Sequence, residues 1–315
     1  MDSSRVLIPV YDDWAAVSRV IRELDATRRP FDVLLVDDGS ATPCPAALAG
    51  TAGAGAVEVL RLRRNLGHQR AIAIGLAYLE SRGDQSPVVI MDGDGEDQPA
   101  DVLKLLEAAD AAPGLIVFAE RTRRSEGWLF TLLYHAYRVA HWLLTGERVR
   151  VGNFSVVPSS LLPRLVAVSE LWNHYAAAVF KSRLPYTTFP TVRGVRYAGN
   201  STMNYVALVT HGLSAMAAFG DRIGVRLLTA TVLMALAAGG VLTFALAGPL
   251  LAGEGLPSWG PIAILVFFAV VFQALAVSLT FVFVILGSRD SSTFLPIRDY
   301  THYILDVTSL RAAVR

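Results

Sequence analysis

The chain has 315 residues, of which 53% are hydrophobic and 17% charged, and its mean hydropathy is +0.44. It is long enough for one large domain or two small ones, and too apolar for an ordinary soluble protein. A net charge of +1 says nothing in favour of nucleic acid, and the lone Cys44 excludes an internal disulfide.

Residues 1–5 lead without a signal-peptide pattern into an apolar run at 6–10. Trp14, Val17, Ile21 and Leu24 then recur at helical spacing. Short apolar runs follow at 33–36 and 57–62, a helical pattern at 69–79, a run at 88–91, a helical pattern at 101–111 and a run at 115–118. Such alternation predicts βαβ units, a mostly parallel sheet covered by helices, with ligands at the carboxyl ends of the strands. Polar clusters stand at those ends: Tyr11-Asp12-Asp13, Asp37-Asp38-Gly39-Ser40, Arg63-Arg64-Asn65, and Asp92-Gly93-Asp94-Gly95-Glu96-Asp97.

Farther on, residues 128–144 are apolar except for a stripe at Thr131, His135, Arg138 and His141, and 205–219 is similar. Either segment fits a helix at a bilayer interface or one buried between a domain and a membrane. Residues 227–248 and 262–286 carry no charge at all. Both exceed the roughly 20 residues a helix needs to span a bilayer, so they predict a transmembrane hairpin. Arg222 and Arg226 precede it, Arg289, Arg298, Arg311 and Arg315 follow it, and the connector holds no Lys or Arg. The basic residues therefore predict a multi-pass membrane protein with both termini, and the α/β domain before the hairpin, in the cytoplasm. The expected organisation is an α/β domain at 1–203 with an interfacial helix near 128–145, a juxtamembrane helix at 204–222, the hairpin at 223–288 and a cytoplasmic tail at 289–315.

The acidic cluster packs four carboxylates into six positions directly after a strand, and like charges that close together favour a cation. It does not fit a calcium loop, whose sixth position needs glycine where this chain has Asp97. No Gly-x-Gly-x-x-Gly or Gly-Lys-Ser/Thr segment is present, which excludes the usual dinucleotide and P-loop sites.

In order, the chain carries Ile8-Pro9-Val10-Tyr11-Asp12-Asp13, Val36-Asp37-Asp38-Gly39-Ser40, Arg64-Asn65-Leu66-Gly67-His68, Asp92 to Pro99, and Arg196-Tyr197-Ala198-Gly199-Asn200-Ser201. This set resembles the family 2 glycosyltransferases of GT-A fold, in particular the branch of dolichyl-phosphate mannose synthases and bacterial polyprenyl-phosphate glycosyltransferases. The resemblance covers nearly the whole chain, since bacterial members also end in a two-helix membrane hairpin. It implies an α/β, Rossmann-like, mostly parallel sheet with flanking helices, plus a C-terminal transmembrane hairpin. It also implies an inverting transfer of a sugar from a UDP- or GDP-linked donor to a polyprenyl phosphate, dependent on Mg²⁺ or Mn²⁺.

Carried over by motif, Asp92 faces the nucleotide, Asp94 and Glu96 hold the metal, and Asp97 completes the catalytic cluster. Glu96 stands where relatives usually have Gln, which keeps an oxygen donor and adds a charge. Pro9, Tyr11, Asp13, Asp37, Asp38, Arg64, Asn65 and Gly67 fall on the donor side; for Tyr11, plain core packing is an equal alternative. Arg121, Arg196, Ser201 and His174 fall on the acceptor side, while Arg123 and Arg124 suit anionic headgroups better. A phosphate acceptor has a second pKa near 6 and is already anionic, so it needs no strong base. A hydroxyl of a lipid or envelope glycan would need one, for which Glu170 and His174 are the candidates. The chain departs from the family at Asn153, where relatives carry an acid, and at 172–175. A non-catalytic membrane protein on a transferase scaffold is the third reading, and assembly with further copies stays open.

Overall fold

The computed structural model describes residues 4–27, 29–46, 48, 55–83, 85–121, 128–147, 151–197, 205–289 and 294–311. They divide into two units. The first comprises Met1–Tyr134, Val149–Ala218 and Phe294–Arg315, and the second His135–Arg148 with Phe219–Thr293.

The first unit is built on an eight-stranded sheet. Strands β1 (Ser4–Val10), β2 (Phe31–Asp37), β3 (Val57–Leu62), β4 (Val88–Ile90), β5 (Ile116–Arg121), β6 (Val151–Val157), β7 (Tyr186–Thr191) and β8 (Ile304–Arg311) lie in the order β7-β5-β6-β4-β1-β2-β3-β8. β6 and β8 run against their neighbours; the other ladders are parallel. The central strands are buried on both faces, which explains why they read as continuous apolar runs rather than alternating ones. Pro9 is tolerated inside β1 because the ladder to β4 ends at Leu7–Ile90, so its missing N–H costs no bond on that side.

Helices α1 (Trp14–Ala26), α2 (His68–Ser81) and α3 (Pro99–Ala111) are the βα crossovers. α1 turns Trp14, Val17, Val20, Ile21 and Leu24 into the core with Val6, Ile8, Val33 and Val89. α4 (Trp128–Thr145) follows β5, α5 (Leu162–Val166) and α6 (Tyr175–Lys181) lie between β6 and β7, and α7 (Tyr205–Ala217) follows β7. The region set apart as a tail re-enters the first unit instead: a short α10 (Pro296–Asp299) leads into β8, which closes the edge of β3. There Arg61 Nε donates to Asp306 at 2.9 Å, and Phe294 and Tyr303 stack on Trp172 with ring centroids 3.7 and 5.1 Å away.

The second unit is a helical hairpin of α8 (Gly220–Leu251) and α9 (Gly260–Arg289) with the end of α4. Both long helices are apolar enough to cross a membrane, and only 6% of the most apolar stretch of each is buried. A core helix of a soluble protein would be covered; these faces are open. At the foot of α8, Arg222 pairs with Glu147 at 2.7 Å, and Arg226 donates to the carbonyls of Trp142 and Leu143 at 3.2 and 2.8 Å. Leu143 lies in the last turn of α4, whose carbonyls lack partners within the helix, while the Trp142 carbonyl also accepts from the Gly146 N–H at 2.8 Å, so Arg226 helps to cap the C-terminus of α4.

Candidate active site

The chain runs β1, β2, β3 outward on one side and then returns to place β4 on the other side of β1. A crevice opens at such a reversal, beyond the carboxyl ends of β1 and β4. Two loops fill its rim, 11–13 and 91–98. Tyr11 is 53% exposed there, which rules out the core-packing alternative and leaves its ring free to take a planar ligand. Asp12 is held by Thr42, whose backbone N–H and hydroxyl donate to its carboxylate at 2.9 and 2.8 Å.

Asp37 and Asp38 are both buried. Asp37 accepts from the Ser40 N–H at 2.9 Å, and the Asp38 carboxylate accepts from the backbone N–H groups of Leu66 and Gly67 at 2.7 and 2.8 Å. Burial pushes the Asp38 pKa up more than these two donors lower it. Gly39, at φ +74, brings its backbone against Arg64 and Asn65, where a Cβ would come within 2.7 Å of main-chain atoms. The second carboxylate of the pair thus fixes the 64–67 loop, and Arg64 and Asn65 are left exposed on it.

In the acidic turn, Asp97 is buried and accepts from the Asp92 N–H at 3.0 Å, closing the loop. Asp94 accepts from the Glu96 N–H at 2.9 Å. Burial raises the Asp94 pKa, the charges of Asp92 and Glu96 add to that, and the Glu96 N–H and Arg196 oppose it. The turn is also clamped by the segment after β7. Gly194 N–H donates to Glu96 O at 2.8 Å and Tyr197 N–H to Asp94 O at 2.9 Å.

The guanidiniums on that segment answer the crowding of charge. Arg193 Nε donates to Glu96 at 2.9 Å, while Arg196 lies 3.3 Å from Asp13 and 3.5 Å from Asp94. Arg196 therefore joins the ends of β1 and β4. Arg193 has no motif around it, and sequence reasoning passed it over. Among the described residues no group of three or more His, Cys, Asp or Glu is arranged to hold a metal. Asp94 fits a Mg²⁺ or Mn²⁺ that takes most of its ligands from phosphate and water. Glu96 fits less well, because its Oε2 takes both Arg193 contacts.

His68 was also overlooked, although it belongs to the 64–68 motif. It opens α2 in the crevice with its side chain 40% exposed and its Nε2 3.1 Å from Asp92 Oδ1. Burial works against charge on this ring, but Asp92, Asp97 and Asp38 together outweigh it and raise its pKa.

Of the acceptor-side candidates, Arg196 is gathered into the crevice and the others are not. Arg121 ends β5 opposite Thr191, and Ser201 lies outside the described residues, as do Arg123 and Arg124. Glu170 is ion-paired with Lys181 at 2.8 Å. His174 is buried and its Nδ1 accepts from the Ala177 N–H, capping α6. The structure gives these last two residues work in the fold.

The chain is similar to known proteins in sequence and in fold. An undecaprenyl-phosphate 4-deoxy-4-formamido-L-arabinose transferase of Pseudomonas paraeruginosa (strain DSM 24068 / PA7) is 32% identical over 135 residues, 41% of this chain and 38% of that one. The enzyme of the same name from Edwardsiella ictaluri (strain 93-146) is 33% identical over 130 residues, 39% of this chain and 38% of that one. The chain thus spans about two fifths of the length of the curated relatives it matches. In fold it is similar to a glucosyl-3-phosphoglycerate synthase from Mycobacterium tuberculosis, solved with Mn²⁺, UDP and phosphoglyceric acid. The TM-score is 0.50 at 16% identity, over 70% of this chain and 78% of that one. The Glycosyl transferase family 2 model matches residues 5–164. That match is half the chain and holds both loops of the crevice, the mostly parallel sheet under them has the GT-A order, and the chain belongs to glycosyl transferase family 2.

Proposed function

We propose that this chain is a membrane-anchored inverting glycosyltransferase that moves a sugar from a nucleotide donor to a polyprenyl phosphate on the cytoplasmic face. The observation that carries the reading is the Asp13–Arg196–Asp94 bridge at the mouth of the β1/β4 crevice, in a chain that also holds two uncovered apolar helices. Tyr11 offers the nucleoside base a stacking face, and Asp92 accepts from the ribose. Arg196 holds the charge of the reacting groups, with Asp13 and Asp94 fixing its guanidinium. Asp94, with the donor diphosphate, is the residue suited to hold Mg²⁺ or Mn²⁺, whose contribution when bound is to offset the charge of the leaving nucleoside diphosphate.

A phosphate oxygen attacks the anomeric carbon in line, the bond to the diphosphate breaks, and no proton has to be removed from the nucleophile. This suits a site where Glu170 is engaged by Lys181 and His174 caps a helix. The relatives' names point to an undecaprenyl-phosphate acceptor for those proteins, and the hairpin would keep such a lipid at hand. The arginines flanking the hairpin support cytoplasmic termini.

The test incubates membranes holding the full chain with radiolabelled nucleotide sugars and polyprenyl phosphate. A lipid-linked product that disappears in Asp94→Ala is expected. No product from any UDP- or GDP-sugar, or the same product from Asp94→Ala, overturns the reading.

A further inference from the structure

Beyond β7 the chain has no helix or strand from Val192 to Tyr197, yet it delivers a guanidinium between two strand ends. The acidic turn opposite holds this segment, and the bonds between the two repeat. Gly194 N–H donates to the Glu96 carbonyl and Tyr197 N–H to the Asp94 carbonyl. The residue before each donor is an arginine, Arg193 and Arg196. Each arginine turns onto the carboxylate of the residue whose carbonyl takes its neighbour's N–H: Arg193 onto Glu96, Arg196 onto Asp94.

The backbones are pressed together. A Cβ on Gly194 would lie 2.5 Å from Gly95 O and 2.9 Å from Gln98 Cγ, and Gln98 Nε2 donates to the Val192 carbonyl at 3.4 Å. Main-chain bonds alone therefore fix the path of the segment. They do not choose which carboxylate each guanidinium takes.

The two ion pairs differ in strength. Arg193 gives Nε and Nη2 to one oxygen of Glu96, a charge-assisted contact of the strong kind. Arg196 is held more loosely, 3.3 Å from Asp13 and 3.5 Å from Asp94. A cation shared at such distances is drawn away by any further carboxylate close by. Glu96 is such a carboxylate, two positions from Asp94, and its charge already acts on Asp94.

We propose that Arg193 is a positioning residue for Arg196: by neutralising Glu96 it keeps that carboxylate from drawing Arg196 off Asp13 and Asp94. The extra charge at position 96, where relatives usually have Gln, is thus answered by an arginine from the segment after β7. This rests on the reading of Arg196 as the residue that holds the charge of the reacting groups.

The experiment uses the full chain in detergent micelles. Calorimetry with UDP or GDP plus Mn²⁺ reads affinity, and nitrogen NMR of the arginine guanidiniums without nucleotide reads the place of Arg196. Arg193→Gln should lower nucleotide affinity about tenfold, the worth of one hydrogen bond to a charged group, and should shift the Arg196 signals. Adding Glu96→Gln should restore both, because no carboxylate then competes for Arg196. A pair that only stabilised the fold would leave the double variant at least as weak as Arg193→Gln. Arg193→Lys, which still offers Glu96 a cation, should bind nearly as wild type does. An Arg193→Gln variant that binds as tightly as wild type or tighter overturns the inference, as does a double variant without recovery. If neither nucleotide binds the wild type, the donor reading fails, and the NMR decides alone: Arg196 signals unmoved by Arg193→Gln overturn the inference.

Discussion

Asp94 sits where burial, and then the charges of Asp92 and Glu96, raise its pKa above the ordinary aspartate value. A carboxyl raised in the folded state favours folding at low pH and costs stability once the pH passes its unfolded value. Asp94→Asn keeps the oxygen that accepts from the Glu96 N–H and removes the charge. The metal-free variant should therefore melt no lower than wild type near neutral pH, while Mn²⁺-dependent nucleotide binding weakens more than about tenfold. A lower melting temperature with unchanged binding would show Asp94 to be a structural residue.

Glu170 behaves in the opposite sense. Burial raises its pKa, but the hydrogen bond and charge of Lys181, with Ser169, bring it net below the usual value. Its contribution is complete above the unfolded carboxylate pKa and is lost as the pH falls through the lowered folded one. Glu170→Gln should flatten the acid limb of the stability curve and cost no more than about 1 kcal/mol at neutral pH. Transfer to a phosphate acceptor should persist in this variant; its abolition with nucleotide binding intact would favour a hydroxyl acceptor.

At the scale of elements, the site is made by loops that short strands deliver and backbone bonds hold. Gly95 shows how little room they leave. It adopts φ +89, and a Cβ there would lie 2.5 Å from the Tyr197 ring. That ring is itself covered by the Arg19 guanidinium at 4.0 Å and bonded to Glu23 through its hydroxyl. Gly95→Ala should cost about 1–3 kcal/mol, from the forbidden backbone region and the displaced ring, and should weaken nucleotide binding because Arg196 precedes Tyr197. Thermal melting and nucleotide titration of the variant check both effects. The alternation of strands and helices as far as β5 was legible because each element is a continuous apolar or amphipathic run. β6, α5, α6 and β7 were not. β6 and β7 carry Gly152, Asn153, Pro190 and several threonines, and their burial comes from neighbours far away in the chain.

At the scale of the molecule, the chain leaves the sheet for the long helices and then returns to it. β8 covers the edge of β3, and Phe294 and Tyr303 clasp Trp172. An uncovered edge strand invites pairing with other chains. Deleting residues 304–315 should leave α8 and α9 helical but make the first unit protease-sensitive and prone to aggregate. Limited proteolysis of membranes reads this directly; an unchanged digestion pattern would mean that β8 adds nothing to the unit.

The sequence by itself determined the class of the protein: the strand-end motifs and the two charge-free helices are local patterns, and local patterns survive without coordinates. It also named Asp92, Asp94, Asp38 and Arg196, because each stands in a short motif whose chemistry depends on near neighbours. Only the tertiary structure decided what offsets their charge. Arg193 reaches Glu96 from 97 positions away, and Asn153 reaches His68 from 85. Such pairings are set by sheet order and register, which no stretch of sequence displays, since both arise when distant strands bury their apolar faces together.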